Sequence, residues 1–289
     1  MGVLMLDDMT VYIPTRGRIN QQETWSWLPE SVRERTFLVA EETEADILDM
    51  MGYPVLAHQE DNIADIRQWI VDQHNADERG PHAIFLDDDL RIDYRRTDVP
   101  SKFLNPGKQT AAVEKMFTEY RRILDYAVLA GIAPRGGANR NTEPYRFNTR
   151  MFMAWGGNLP KLQEMGVEFN RLLLQEDFDV ILQVLSQGHR AVLLNTFVVG
   201  DAGTNLPGGC SIYRDNEVQS EASRGLAGLW PKYVTPVVRP AWKGMAGDTR
   251  LDVRVSWKRA YEDGVRLAGE EEPEFSLTGE DAWYEEDLL

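Results

Sequence analysis

Three consecutive aspartates, Asp87, Asp88 and Asp89, directly follow the apolar run Ala83–Leu86. Such a run predicts a buried strand, whose carboxyl end in an α/β fold is a place to hold a divalent cation against the phosphates of a ligand. Alternate side chains of an extended chain point the same way, so Asp87 and Asp89 are positioned to share one ion while Asp88 faces elsewhere. A solvated loop or a helix N-terminus is the ordinary alternative. We interpret the triplet as a metal site for chemistry on a phosphorylated donor.

A second candidate site is the turn in which Pro14 leads into Thr15, Arg16, Gly17 and Arg18. At the carboxyl edge of a first parallel strand, backbone amides and guanidinium groups are available to a nucleotide. The same residues also make a good turn without any further role, and the sequence leaves both interpretations open.

Arg67 lies in the second turn of a predicted helix that Asp61 or Asn62 caps. It is placed to reach the base or phosphates of a nucleotide, or to pair with a neighbouring acid such as Asp65. Its position one crossover unit before the aspartates favours a role in donor binding.

Glu176, Asp177 and Asp179 follow another apolar residue, Leu174, just before an amphipathic helix. Helix capping is the ordinary explanation for such acids. Three acids exceed what capping needs, and a carboxylate that faces an acceptor hydroxyl is a suitable general base. We predict Asp177 as the base, with Glu176 as a second catalytic candidate.

A glycine-rich segment from Gly200 to Arg214 carries further donor-binding candidates, which are Gly208, Gly209, Ser211 and Arg214. Glycines allow close backbone approach to phosphate, and a lid over the donor is our preferred interpretation over a plain flexible loop. Because the chain has neither a Walker pattern nor Gly-x-Gly-x-x-Gly between a strand and a helix, phosphate-loop NTPases and dinucleotide-binding enzymes are disfavoured.

Apolar strands and amphipathic helices alternate along the chain, which predicts crossover units and an α/β fold with a mostly parallel sheet. The predicted strands are Thr10–Pro14, Thr36–Ala40, Pro54–Ala57, Ala83–Leu86, Tyr145–Trp155 and Arg190–Val199. The predicted helices are Glu44–Met51, Ile63–Asn75, Thr110 to about Ala130 (closed by Gly131 and Pro134), Leu159–Met165 and Asp177–Gln187. The intervening segment Arg91–Lys108 is expected to be a polar loop.

Composition places the chain among globular proteins. It has 289 residues, 43% hydrophobic residues, eight tryptophans and one cysteine, Cys210. One cysteine excludes an internal disulfide and fits a reducing compartment. Without a run of about eighteen apolar residues or a basic N-terminus before an apolar core, neither a membrane span nor a secretion signal is indicated. We expect a cytoplasmic protein, in the host cytoplasm if it is encoded by a phage.

The net charge of −16 argues at first against a nucleic-acid partner, but the charge is unevenly distributed. Residues 270–289 hold nine acids and no base, whereas residues 230–268 hold eight bases and four acids. We predict a catalytic domain over residues 1–215, a basic helical extension over 216–268 that wraps back over the site, and a disordered acidic tail over 269–289. The basic segment is able to face a polyanion, or is simply a solvated helix face.

The motifs together resemble the GT-A class of nucleotide-sugar glycosyltransferases. The resemblance rests on Ile13–Arg18, on the helix with Arg67, on Phe85–Asp89 as the Asp-x-Asp motif and on Gln175–Asp177 as the acidic base motif. It implies a Rossmann-like nucleotide-binding half and a Mn²⁺ or Mg²⁺ on Asp87 and Asp89. The donor is expected to be a UDP-sugar, contacted by the residues named above, including Asp88.

Within this class the chain looks most like phage-encoded enzymes that glycosylate modified DNA, which implies a 5-hydroxymethylpyrimidine as acceptor. The predicted acceptor contacts are Trp155, Gly156 and Arg146, with Tyr145 and the stretch up to Arg150 as further candidates. Core packing is the ordinary alternative for these aromatic residues. An acidic base implies in-line attack and inversion of the anomeric centre.

The third metal ligand and the exact reaction stay open. Many members of the class complete the metal site with a late histidine, but no histidine follows His189. Asp201, Asp179 or water is therefore expected to substitute, or the two aspartates of the Asp-x-Asp motif hold the metal alone. A nucleotidyltransferase would use a similar metal site and release pyrophosphate. The sequence is also compatible with a glycosyltransferase that has a non-DNA acceptor and with a non-catalytic binding module.

Overall fold

A computed structural model describes residues 6–107, 110–201, 213–242, 245 and 247–269. Ten of its strands form one mixed sheet in the order β3-β2-β1-β4-β9-β7-β10-β5-β6, with β8 paired to β10. These strands are β1 (Met9–Pro14), β2 (Thr36–Glu41), β3 (Val55–His58), β4 (His82–Leu86), β5 (Arg91–Arg95), β6 (Phe103–Leu104), β7 (Leu129–Pro134), β8 (Tyr145–Phe147), β9 (Ala154–Asn158) and β10 (Ala191–Gly200).

Helices flank this sheet on both faces. They are α1 (Glu23–Trp27), α2 (Glu30–Arg33), α3 (Glu42–Met50), α4 (Ile63–Ala76), α5 (Thr110–Ile123), α6 (Leu159–Glu164) and α7 (Glu176–Leu185), together with a 3₁₀ turn at Ala138–Arg140. Seven of the ten strands point the same way, and only β5, β8 and β9 run opposite to them. The predicted α/β fold with a mostly parallel central sheet is therefore confirmed.

The four strands β3, β2, β1 and β4 are parallel neighbours. Strand β4 is buried throughout, as expected for a strand with helices on both faces. In the register of β1 against β4, Tyr12 lies opposite Phe85. Because the carboxyl ends of these strands meet at one edge, the loop after β1 lies beside the three aspartates that follow β4.

Two predicted elements have different bounds in the structure. Helix α5 ends at Ile123, and Gly131 and Pro134, expected to close it, lie in strand β7. Strand β7 is buried on both faces and is therefore apolar throughout, so its residues also fit the apolar spacing of the preceding helix. The predicted strand Tyr145–Trp155 is two strands, β8 and β9, since Asn148 and Met153 have φ values of 49° and 65° that interrupt an extended chain.

The predicted polar loop Arg91–Lys108 also contains structure, because β5 pairs with both β10 and β6 at the edge of the sheet. Alternate burial of its apolar residues, Ile92 and Tyr94, marks β5 as a strand with one face on the core.

The C-terminal part consists of α8 (Asn216–Leu229), the antiparallel hairpin β11 (Val234–Pro240) and β12 (Thr249–Val255), and α9 (Trp257–Ala268). Ser220 and Ser223 of α8 bond the backbone of Leu251 in β12. Helix α9 packs on α7. The domain limits at 215 and 268 stay predictions, and the acidic tail lies outside the described residues. In the described part of the chain, no helix is long and apolar enough to cross a membrane.

Candidate active site

A cavity of about 450 Å³ lies at the carboxyl ends of β1 and β4, within the size range of small-molecule sites. Most of the sequence-predicted site residues line it: Pro14, Thr15, Arg16, Arg18, Arg67, Asp87, Asp88, Asp89, Glu176, Asp177 and Arg214. The predicted residues Gly208, Gly209 and Ser211 lie outside the described residues. Separate segments of sequence therefore converge on one cavity, as the resemblance implies.

Asp88 is an anchor between the two strand ends. Its Oδ2 accepts a hydrogen bond of 2.7 Å from Thr15 Oγ1, and its Oδ1 pairs with Arg18. Gln22 Nε2 donates to Thr15 Oγ1 at 3.0 Å, and Asp88 is only 4% exposed. Both oxygens of Asp88 are thus occupied by the loop after β1.

Thr24 fixes the backbone of the triplet, a role that sequence analysis missed. Its Oγ1 donates to Asp87 O at 2.5 Å and accepts from Leu90 N at 2.8 Å, while its backbone N donates to Asp88 O at 3.0 Å. A threonine early in a short helix carries no motif, so no local signal pointed to this contact.

Asp87 is the most exposed of the three aspartates that line the cavity, with 43% of its side chain exposed, against 17% for Asp89 and 6% for Asp88. The protein atoms around it nevertheless displace enough water to raise its pKa to about 7, against the effect of Arg67, whose Nη2 lies 3.7 Å away. The nearby charges of Asp89 and Asp88 raise the pKa further. A carboxylate in an excess of negative charge is one that a cation would stabilise.

The donor set fits a hard divalent cation. Asp89 lines the cavity, and its Oδ2 also accepts a hydrogen bond of 3.0 Å from Arg18. Burial is the main cause that raises the pKa of Asp89, and the charges of Asp88 and Asp201 raise it further. Among the described residues no cluster of three or more His, Cys, Asp or Glu side chains is placed to hold a metal. Mg²⁺ is commonly held by one or two carboxylates plus substrate phosphates, which is what Asp87 and Asp89 offer.

Asp179 is not available as a third ligand. Its carboxylate accepts hydrogen bonds from Trp230 Nε1 at 2.6 Å, Arg171 at 3.0 Å and Gln183 Nε2 at 3.0 Å, and it is 1% exposed. It ties α7 to the C-terminal part instead of lining the cavity. Of the two acids expected to substitute for the missing histidine, only Asp201 lines the cavity.

Arg67 links the part of the cavity lined by Asp87 to the acids of α7. Its Nη1 makes an ion pair with Glu176 Oε1, and its guanidinium lies 5.1 Å from the ring centroid of Trp155. Both members of the pair are 6% exposed. Burial raises the pKa of Glu176, and the charge of Arg67 opposes that rise. The alternative of a surface pair with Asp65 is not found; Asp65 bonds other polar side chains.

Asp177 faces the cavity from the first turn of α7. Its Oδ2 lies 3.4 Å from Arg150 Nη2. The guanidinium of Arg150 is held between two aromatic rings, at 4.2 Å from the centroid of Phe152 and 4.4 Å from that of Phe178. Glu176 is committed to a buried ion pair, whereas the carboxylate of Asp177 has one longer contact, with a half-exposed arginine.

The structure corrects the predicted acceptor contacts. Trp155 is completely buried and stacks on Phe169 with ring centroids 5.9 Å apart, and a Cβ on Gly156 would meet Ala83 O. Both residues lie in β9, a central strand covered on both faces. Arg146 lies in β8 and, like the other two, does not line the cavity. Arg150, the last residue of the predicted stretch, does line the cavity.

The C-terminal part supplies cavity residues that no motif predicted. Trp242 and Arg250 line the cavity, with the guanidinium 4.5 Å from the indole centroid, and Asp252 pairs with Arg250 at 3.6 Å. Tyr213 also lines it, and its hydroxyl accepts a hydrogen bond from Ile63 N at 3.2 Å. The expected wrapping of residues beyond 200 over the site is seen in these contacts, for which the basic surplus of residues 230–268 was the only sequence signal.

Comparison with known families identifies the class of protein to which this fold and cavity belong, which is the glycosyltransferases. Residues 9–209, more than half of the chain, match the model of the TET-Associated Glycosyltransferase family, and the chain belongs to that family. No curated protein sequence matches the chain.

Solved structures give weaker similarities. TarS residues 1–349 of S. aureus match with a TM-score of 0.46 and 13% identity over 76% of this chain and 65% of that chain. GalNAc-T7 with UDP, GalNAc and Mn²⁺ matches with a TM-score of 0.43 and 11% identity over 67% of this chain and 43% of that chain. Mannose-1-phosphate geranyltransferase from Thermus thermophilus matches with a TM-score of 0.34 and 11% identity over 95% of this chain and 67% of that chain. The chain spans less than two thirds of the length of the first two proteins, and its family assignment rests on the family model.

Proposed function

We propose that this protein is a metal-dependent glycosyltransferase that moves a sugar from a UDP-sugar to the hydroxyl of a 5-hydroxymethylpyrimidine in DNA, with inversion. The observation that carries the proposal is that Asp87 and Asp177 line one cavity, the first amid excess negative charge and the second at the start of α7. One carboxylate suits a cation beside the leaving diphosphate, and the other suits proton removal from an acceptor.

The donor end is built by the loop after β1 and by the aspartates after β4. Asp87 and Asp89 would hold a Mn²⁺ or Mg²⁺, which when bound neutralises the charge that develops on the leaving diphosphate. Arg16, whose Nη1 bonds Asp61 O at 2.6 Å, and Arg214 add cationic side chains to the cavity wall. Thr15 and Arg18 hold Asp88, so we assign them to shaping this end rather than to direct contact with the donor.

The acceptor end is built by Asp177 and Arg150. The acceptor oxygen forms a bond to the anomeric carbon while the bond from that carbon to the diphosphate oxygen breaks. The hydroxyl proton passes to Asp177, and the bonding electrons leave with the diphosphate. Attack from the side opposite the leaving group inverts the anomeric centre. A base in duplex DNA must leave the stack to enter a cavity of this size.

The experiment is incubation of the purified protein with Mn²⁺, a panel of UDP-sugars and DNA that contains 5-hydroxymethylcytosine or 5-hydroxymethyluracil. Nucleoside mass and diphosphate release are followed. We expect a hexose-sized mass gain on the modified base, lost in Asp177→Asn and Asp87→Asn but kept in Asp49→Asn, an exposed aspartate of α3 that serves as the matched control.

Each other outcome contradicts a stated part of the proposal. Diphosphate release without modification of the DNA would keep the glycosyltransferase and reject the DNA acceptor. Transfer of the nucleotide with release of pyrophosphate would replace it with a nucleotidyltransferase. Retention at the anomeric carbon, seen in the NMR coupling of the anomeric proton, would remove Asp177 from the role of base.

A further inference from the structure

A second, more open groove lies next to the acceptor end of the cavity. It has a volume of about 560 Å³, and Asn148, Ser256, Trp257, Lys258 and Arg259 are among its lining residues. It is formed where the segment after β8 meets the start of α9. None of its lining residues belongs to the catalytic cavity described above.

The groove and the cavity share one aromatic wall. Trp257 of the groove packs on Phe178, with ring centroids 5.4 Å apart. Phe178 in turn lines the cavity beside Asp177 and contacts the guanidinium of Arg150. Asn148 of the groove is two residues before Arg150 in the chain. The two sites are therefore neighbours, connected by the contact between Trp257 and Phe178.

The lining of the groove carries a positive net charge, whereas the chain as a whole is negative. Lys258 and Arg259 are exposed, and the one acid that lines the groove, Glu262, pairs with Lys258 at 3.6 Å. The side chain of Arg259 makes no hydrogen bond or ion pair with the described residues. Exposed positive charge beside the acceptor end favours docking of a polyanion at this groove.

We propose that this groove binds the phosphodiester backbone of the nucleic-acid acceptor next to the nucleotide whose base enters the cavity. The inference rests on the proposed function for the identity of the acceptor. Lys258 and Arg259 would neutralise backbone phosphates, and the amide of Asn148 and the hydroxyl of Ser256 would donate hydrogen bonds to phosphate oxygens. Contacts of this kind position a nucleic acid without reading its sequence.

The test compares two double variants that each remove one lysine and one arginine. Lys258→Ala/Arg259→Ala alters the groove, and Lys161→Ala/Arg224→Ala alters α6 and α8, where both side chains are at least 40% exposed. Binding of a fluorescein-labelled oligonucleotide is measured by anisotropy without any nucleotide-sugar, over a range of salt concentrations. We expect the groove variant to bind about tenfold more weakly and its salt dependence to be shallower by about 1.5 in log–log slope, since two phosphate contacts are lost.

A turnover measurement separates this inference from the proposed function. In the groove variant the ratio of kcat/KM for the oligonucleotide to that for the free hydroxymethylated nucleoside should fall about tenfold, whereas the α6/α8 variant should keep the wild-type ratio. If sugar is transferred to DNA and the two double variants bind DNA alike, the groove assignment is overturned alone. If the groove variant weakens DNA binding but no sugar reaches DNA, the proposed reaction fails and the groove stands. A wild-type protein that binds no DNA overturns both.

Discussion

The guanidinium of Arg67 makes a buried ion pair with the carboxylate of Glu176, although 109 positions of sequence separate the two residues. The same guanidinium lies 3.7 Å from Asp87, so one side chain links the two ends of the cavity. The sequence pattern favours donor binding for Arg67, whereas its contacts indicate a structural link between α4 and α7.

We therefore expect Arg67→Met to lower the free energy of unfolding by about 3 kcal/mol, because it leaves the Glu176 carboxylate buried without its partner. Urea denaturation monitored by tryptophan fluorescence measures this loss. The double variant Arg67→Met/Glu176→Met should recover part of the stability, since no buried charge of the pair then remains. If Arg67→Met leaves the unfolding curve unchanged and weakens only binding of the nucleotide-sugar, Arg67 is a donor-binding residue and the structural role is wrong.

Asp87 and Asp88 are adjacent but should respond oppositely to the same substitution. Asp88→Asn replaces a charge that holds Thr15 and Arg18, and we expect it to destabilise the fold by about 2 kcal/mol, as for a charge-assisted hydrogen bond. Asp87→Asn removes a carboxylate whose pKa is raised to about 7 by burial and neighbouring acids, so stability should stay equal or rise. Thermal unfolding of both variants gives the comparison.

The same pair of variants tests the metal assignment. Mn²⁺ with UDP should raise the melting temperature of the wild-type protein by mass action, and this increase should disappear in Asp87→Asn. Asp49→Asn should behave as wild type. An increase that survives in Asp87→Asn would place the ion elsewhere.

Buried histidines make the fold sensitive to acid. Burial lowers the pKa of His82 to about 4, and it also lowers the pKa of His58 and His74. Below about pH 6.5 the unfolded chain binds protons that the folded protein does not accept until pH approaches 4. The contribution of these neutral histidines to the free energy of unfolding is therefore fully present above about pH 6.5 and is lost as the pH falls from about 6.5 to 4. For His82 the loss amounts to up to about 3 kcal/mol.

Urea denaturation at about pH 7, 6, 5 and 4.5 checks this dependence. His82→Gln should show a shallower decline than wild type because its ionisable group is gone. Gln73→Ala, at an exposed position of α4, is the control: it removes no ionisable group and should keep the wild-type slope. Equal slopes in wild type and His82→Gln would mean that other groups cause the loss.

The sequence predicted those site residues that stand at the end of an apolar run. Asp87 after β4 and the acids at the start of α7 were found because a change from apolar to acidic residues is visible locally. The crossover pattern predicted a mostly parallel sheet, but that β1 lies beside β4, with Thr15 and Arg18 near the triplet, is known only from the structure. The prediction of these acids and of the sheet type needed only the periods of strands and helices.

Contacts between residues that are far apart in the sequence could not be predicted from these periods. Nothing in the sequence pairs Arg67 with Glu176, or places Thr24 under the backbone of the triplet. Trp155 was assigned to the acceptor because aromatic side chains stack on bases, yet burial in a central strand has the same residue signature. Only the position of β9 between β4 and β7 distinguishes the two interpretations.

That position also makes Gly156 a structural residue, in a way that can be measured. A Cβ at Gly156 would lie 2.2 Å from Ala83 O and 2.9 Å from Ile84 Cα, both backbone atoms of β4. Gly156→Ala should therefore force β9 away from β4 and lower the free energy of unfolding by about 3 kcal/mol or more. Because β4 leads directly into Asp87, transferase activity should fall as well.

Gly228→Ala in α8 is the matched control, since a Cβ there meets nothing within 4 Å. Alanine at that helical position should raise stability by about 0.5–1 kcal/mol, because glycine is the poorer helix former. Urea denaturation of both variants decides the question. A Gly156→Ala protein with wild-type stability and a loss confined to acceptor affinity would return Gly156 to the acceptor site and contradict the close packing of β9 against β4.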